Sequence, residues 1–192
     1  MGQSTEHDDY LAQQIERTLS KRDAKLPARA VAFVDRVDSC WGFTGRDVLC
    51  IGCRNTEEIA AIRGRGARRV TGIDLYSESA DILVMDMHAL TFGPASFDLV
   101  YSSHSFEHAR DPRRVASEML RVLRPGGAVA IEVPVHFEPR GADLHDYGSA
   151  DGLLAPFADA VTERLFVEEV AAVPPSPPSL RVVFRAQPGE TV

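Results

Sequence analysis

No stretch of this 192-residue sequence approaches the roughly 18 consecutive apolar residues a membrane-spanning helix needs, so no membrane partner is expected. Cysteine is scarce as well. Cys40, Cys50 and Cys53 are an odd number in a chain large enough to bury a core without disulfide staples, which points to a reducing compartment. Residues 1–9 are polar and acidic and lack the apolar centre of a secretory leader, so the expected location is cytoplasmic. Positive charge is in deficit, with 21 Lys and Arg against 28 Asp and Glu and a net charge of −7. The summed positive field that draws proteins to nucleic acid is therefore missing, and no nucleic-acid partner is expected. The basic run at residues 63–69 reads as a solvated helix end and turn.

What is present is enough hydrophobic sequence, 44%, for one buried core. Tyr10, Leu11, Ile15 and Leu19 fall at helical spacing and predict a helix docked by its apolar face. Pro27 ends it or starts the next, which carries Val31, Phe33, Val34 and Val37. The apolar run 48–51 reads as a first strand closing at Gly52, and Thr56 before Glu57 and Glu58 reads as a capped helix start. Residues 69–74 and 82–86 read as the second and third strands. Only seven residues separate them, too few for a crossover helix, so either this crossover is abbreviated or the third strand is misplaced.

Residues 97–102 form the expected fourth strand, and Asp111-Pro112 opens a helix carrying Val115, Met119, Val122 and Leu123 until Pro125-Gly126-Gly127 stops it. Residues 128–133 follow as the fifth strand, and 149–157 as a short helix. Residues 165–173 and 180–185 are the last two strands, antiparallel because the proline-rich loop 174–178 between them holds no helix. Alternating strands and helices imply an α/β fold, a doubly wound and mainly parallel seven-stranded sheet with an antiparallel last strand. Ligands in such sheets lie at the carboxyl ends of the strands, where Gly52, Asp74, Asp86 and residues 102–104 fall.

The ordered set made by V-L-C-I-G-C-R-N-T, by Asp74 and Asp86 at strand ends, and by the run 96–134 resembles the class I S-adenosylmethionine-dependent methyltransferases. The resemblance covers most of residues 48–134 and implies a Rossmann-like methyltransferase fold in a single domain, residues 1–192. Residues 1–40 would be N-terminal helices on the cap or substrate side, 46–134 the cofactor-binding core, and 135–192 the substrate loop and final strands. The family's loop has the form V-L-D-I-G-C-G-x-G. Gly52 and Cys53 match it, whereas Cys50 stands at its acidic position and Arg54 and Thr56 at its later glycines. By this resemblance S-adenosyl-L-methionine, leaving as S-adenosyl-L-homocysteine, is held by Gly52, Cys53, Arg54, Asn55, Asp74, Leu75, Asp86, Met87 and Ser103. Asp74 would accept from the ribose hydroxyls, as a two-oxygen acceptor can. Asp86 would take the adenine amine with Met87 on the ring, and Arg54 or Asn55 would bond the methionine carboxylate.

Residues 104–108 spell H-x-x-E-H, the inverted zinc-protease pattern, but follow a strand directly, so no metal is expected there. His104 is read instead as bordering the reactive end of the cofactor, with Glu107 and His108 holding the loop by hydrogen bonds. Cys50 and Cys53 form a C-x-x-C read as core packing and cofactor loop and not as a redox pair. The titratable segment after the fifth strand offers His136 and His145 as general bases beside His104. The implied reaction is methyl transfer to an oxygen, nitrogen or carbon of a small-molecule acceptor, in a pocket made by this chain or completed by a second copy as a homodimer. The alternative from the altered loop is a non-catalytic scaffold or accessory subunit of the same fold.

Overall fold

The structure, a computed structural model, describes residues 2–21, 23–174 and 176–187, with side chains from Asp8 onward, so Pro175 of the proline-rich loop lies outside the described residues. Its elements run α1 (Gly2–Lys21), α2 (Ala28–Cys40), β1 (Asp47–Ile51), α3 (Glu57–Arg63), β2 (Arg69–Asp74), β3 (Ile82–Val84), β4 (Phe97–Ser103), α4 (Pro112–Val122), β5 (Leu123–Pro134), α5 (Ala150–Leu154), β6 (Val161–Val170) and β7 (Ser179–Ala186). The seven strands form one sheet in the order β3-β2-β1-β4-β5-β7-β6. All neighbours are parallel except β7, which is antiparallel to both β5 and β6. The expected doubly wound sheet is therefore present. No helix among the described residues is long and apolar enough to cross a membrane.

Strand residues alternate between two cores because successive side chains point to opposite faces. Leu49, Ile51, Val100, Val129 and Ile131 pack with Val115, Met119 and Val122 of α4. On the other face Val48, Cys50, Leu99 and Tyr101 meet Phe33, Val34 and Val37 of α2 and Ile59 and Ile62 of α3. Burying each such large side chain stabilises the fold by roughly 1.5–3 kcal/mol. Asp111 caps α4 as its sequence predicts, its carboxylate accepting from the Arg114 N–H with Pro112 in the first turn.

Several elements depart from the sequence reading. Thr56 does not cap α3; the Asn55 side chain accepts from the Glu57 N–H instead. The crossover between β2 and β3 is the abbreviated one: β3 pairs with β2 through only three residues, and Asp86 lies beyond its end. Helix α4 stops at Val122, and Leu123 already pairs with Phe97, so Pro125-Gly126-Gly127 is an excursion inside β5. β6 begins at Val161, earlier than read. Helix α1 docks through polar groups rather than an apolar stripe, with Leu19 exposed and Gln14 buried.

A buried ion network closes the carboxyl ends of the strands. Glu132 of β5, fully buried, accepts from Arg181 Nε at 2.6 Å, Arg29 Nη1 at 2.6 Å and Ser103 Oγ at 3.2 Å. Arg181 also reaches Glu168 of β6 and the Arg29 carbonyl. Burial alone would raise the Glu132 carboxyl, but His104, Arg181 and Arg29 outweigh it and hold the group at about 2. Its contribution is thus present above the unfolded carboxylate range and lost as pH falls toward 2. Replacing Arg181 by Met should cost on the order of 3–5 kcal/mol in urea unfolding at pH 7, because one partner of a buried pair is removed. Loss of less than about 1 kcal/mol would show that the network does not carry this load.

Candidate functional site

The carboxyl ends of β1, β2 and β4 converge on a cleft of about 150 Å³ roofed by α1. Its floor begins at Gly52, whose φ is +69° and whose position leaves no room for a side chain: a Cβ there would lie 2.4 Å from that of Ser105. The Ser105 hydroxyl donates to the Ile51 carbonyl and bonds Ser102 Oγ, fixing the two loops together. Arg54 adopts φ +50°, the left-handed conformation a glycine takes without strain, so the loop keeps a glycine-like path at a position where the resembled pattern has glycine. Its N–H donates to Asp74 Oδ2 at 2.8 Å.

Asp74, 8% exposed at the end of β2, also accepts from Thr18 Oγ1 of α1 at 3.0 Å, and burial raises its carboxyl. Among the described residues the buried Nε of Arg54 has no hydrogen-bond partner. Asn55, the other side chain expected at the methionine carboxylate, donates to the Ala24 carbonyl and caps α3. Leu75, Met87 and Asp86 line the far side of the cleft. Asp86 Oδ1 lies 2.6 Å from His88 Nδ1, and His88 Nε2 accepts from the Asp111 N–H, which sets that imidazole's tautomer. Sequence reasoning missed His88, since nothing in its spacing marks it as the brace behind Asp86.

It also missed Glu58. This side chain from the first turn of α3 is buried at the cleft, where burial pushes its carboxyl up to about 7. Cys50 Sγ lies 3.9 Å from Glu58 Oε2, so a carboxylate from α3 stands beside the position at which the resembled loop has an acidic residue. All three cysteines are free; the Cys50 thiol is pushed well above its usual range by its hydrogen bond with Cys53 and by burial, which disfavours the reactive thiolate.

Ser103 and His104 line the cleft at the end of β4. His104 has φ +51°, its N–H donates to the Glu132 carbonyl, and Nε2 lies 3.4 Å from Glu132 Oε1 and 3.3 Å from Ser179 Oγ. Burial lowers its pKa, so the ring is neutral near pH 7 and one nitrogen keeps a lone pair. The other two expected bases are not brought to the cleft. His136 is exposed on a strained turn at φ +61°, and His145 Nε2 faces the Ala109 carbonyl at 2.8 Å. The segment carrying them packs back on the loop after β4, where Leu144 and His145 N–H donate to the Glu107 carbonyl.

The H-x-x-E-H residues divide their roles. His108 Nδ1 is 2.8 Å from the Ala142 carbonyl, a loop-holding bond as expected. The Glu107 side chain makes none: it is fully buried with neither oxygen hydrogen-bonded, and the residue holds the loop only through its backbone. Glu107, His108 and Asp143 bring one ligand-type atom each within 4.8 Å of one another, and His104 is not in that group, so the two histidines do not make a shared site.

Residues 49–131 match the family described as a methyltransferase domain. Among curated proteins, the chain is 33% identical over 105 residues to the ubiquinone biosynthesis O-methyltransferase of Idiomarina loihiensis, covering 46% of this chain and 42% of that one. The chain spans less than half the length of these curated relatives. Among solved structures, it superposes on the Burkholderia thailandensis 1,6-didemethyltoxoflavin-N1-methyltransferase, which has bound 1,6-didemethyltoxoflavin and S-adenosylhomocysteine. The TM-score is 0.77, with 16% identity, 97% of this chain and 91% of that chain covered. It also superposes on the [4+2]-cyclase SpnF with a TM-score of 0.69, 17% identity and 96% and 95% coverage.

Burial raises the Glu107 carboxyl to about 8, its own backbone N–H offsetting only part of the effect. The folded state then binds a proton that the unfolded chain has released, so stability falls as pH climbs from the ordinary carboxylate range through 8. Glu107→Gln should match wild type near pH 4 and lose less melting temperature than wild type between pH 4 and pH 8. Glu107 Oε1 lies 3.6 Å from His108 Nε2 and 3.8 Å from His104 Nδ1, beyond hydrogen-bond distance, and parallel melting profiles for the two proteins would contradict a buried carboxyl with a raised pKa.

Proposed function

We propose that this chain, whose residues 49–131 belong to the methyltransferase-domain family and whose fold is that of the class I enzymes, transfers the methyl group of S-adenosylmethionine to a small-molecule acceptor. The observation that carries this reading is Asp74: a carboxylate at the end of β2, beside a loop that keeps glycine-like backbone at Gly52 and Arg54. The residues fit the cofactor. Asp74 presents acceptors for paired hydroxyls, Asp86 and Met87 offer an acceptor and a soft apolar surface for a base, and the unpartnered Arg54 Nε suits a carboxylate. When bound, the cofactor supplies an electrophilic methyl on a positively charged sulfur.

The chain's own work is alignment and exclusion of water, because little covalent assistance is needed. α1 covers the cleft, tied down by Tyr10 Oη to the His108 carbonyl, Gln14 to the Ala142 carbonyl, Arg17 to Asp143 and Thr18 to Asp74. His104, neutral and at the mouth, is the residue placed to take a proton if the acceptor must lose one. Departures at Cys50 and Arg54 do not favour the scaffold alternative, since Glu58 and the left-handed backbone of residue 54 meet those needs locally.

Calorimetry with S-adenosylhomocysteine tests the reading. Wild type should bind, and Asp74→Ala should bind about 10- to 100-fold more weakly, the scale of losing charge-assisted hydrogen bonds. Asp74→Asn, of similar shape, separates lost charge from lost packing and should fall between. Absence of binding by wild type at millimolar ligand would sink the enzyme reading.

A further inference from the structure

A second cavity, of about 540 Å³, opens beside the first and shares with it Arg17, Lys21, Pro27, Arg29 and His104. Its outer wall comes from the end of β5, the segment after it and the loop before β7, and includes Phe137, Arg140 and Pro177. This cavity does not touch residues 52–55 and so is not the place of the methionine carboxylate. Its walls include proline and aromatic surfaces, and its charged groups are mostly cationic.

The charge balance around it runs against that of the whole chain, which is −7. Arg17, Lys21, Arg29 and Arg140 line it, against Glu138 and Asp143. Asp143 is already paired with Arg17, and Arg29 shares the single carboxylate of Glu132 with Arg181. Among the described residues neither Lys21 nor Arg140 has a side-chain ion pair or hydrogen bond, and burial, with smaller contributions from nearby Arg17, Arg54 and Arg29, lowers the Lys21 pKa. Lys21 and Arg140, both exposed at the rim, therefore leave two cations without a carboxylate partner among the described residues on a pocket of an acidic protein, where an anion finds donors ready.

The geometry points to a small organic acid as the acceptor, its acidic group held by Arg140 and Lys21 and its planar or apolar part lying against Phe137 and Pro177, with the nucleophilic atom toward His104. This rests on the methyl-transfer reading above and names the substrate class of that site. Carboxylate and phosphate share the chemistry. An anion here also gains electrostatic steering, since a concave site lined by one sign of charge concentrates the opposite ion.

The test uses the full chain saturated with S-adenosylhomocysteine and matched pairs of probes followed by ligand-observed NMR: benzoate with benzamide, indole-3-carboxylate with its amide, and phenyl phosphate with phenol. Acids should bind about tenfold tighter than their neutral partners, and Arg140→Gln should remove most of that preference while the S-adenosylhomocysteine affinity stays within about twofold. A preference confined to the carboxylates or to phenyl phosphate supports the proposal and identifies which acid is recognised. Equal binding of acid and neutral partner, no binding by any acid, or an acid preference untouched by Arg140→Gln overturns it. Failure of S-adenosylhomocysteine to bind is a separate result that strikes the methyl-transfer reading, and the acid comparison is then made on the protein alone.

Discussion

Glu132 is the group on which the carboxyl end of the sheet depends. A fully buried carboxylate on β5 is tolerable only if its lost hydration is replaced, and four residues contribute to that: Arg181 from β7, Arg29 from α2, Ser103 from β4 and His104 just beyond it. Their convergence fixes where β7 inserts between β5 and β6, and it places α2 against the strand ends. It also sets Ser103 and His104, the two site residues at the end of β4. The network is structural in its energy and functional in its consequence, because Arg29 and His104 face both cavities.

Backbone strain is concentrated at the same end. Of the four non-glycine residues in the left-handed region among the described residues, Arg54 and His104 follow β1 and β4, two of the strands whose ends define the cleft, and His136 follows β5 beside it. Such conformations persist where the surroundings over-determine them. For Arg54 the N–H bond to Asp74 does so, and for His104 the N–H bond to the Glu132 carbonyl. Each bond joins neighbouring strand ends, so the strain sits on the contacts that shape the floor.

The sequence made the sheet legible because its signals are local: apolar runs of four to six residues, the Asp111-Pro112 cap, and a loop before β7 too short to cross over. Asp74, Gly52 and Ser103 were legible for the same reason, each closing a strand. What stayed hidden depends on long-range approach. Glu58 reads as a helix-start acid until α3 folds it against Cys50, and His88 is unremarkable until β3 ends early and sets Asp86 beside it. His145 reads as a base on a titratable loop, yet the loop folds back so that its ring nitrogen meets the Ala109 carbonyl. Helix α1 misled in a different way, since its apolar spacing suggested a hydrophobic dock while its polar residues make the contacts.

That polar docking bears on how the site works. Packing by a broad apolar face would give α1 a large burial term, whereas it is held over the cleft by a few hydrogen bonds and one partly exposed ion pair, Arg17 with Asp143. Individually these contribute only about 0.5–1.5 kcal/mol each, which makes α1 among the easier elements to lift. One of its bonds, Thr18 to Asp74, uses an oxygen that a ribose hydroxyl would use, and two others, Gln14 to Ala142 and Arg17 to Asp143, grip the loop that walls the second cavity. A ligand at Asp74 therefore competes with the roof, while an occupant of the second cavity meets Arg17 and the loop it holds. If both cavities bind as proposed, the same helix answers to both ligands, and by thermodynamic reciprocity each would alter the binding of the other by the same factor.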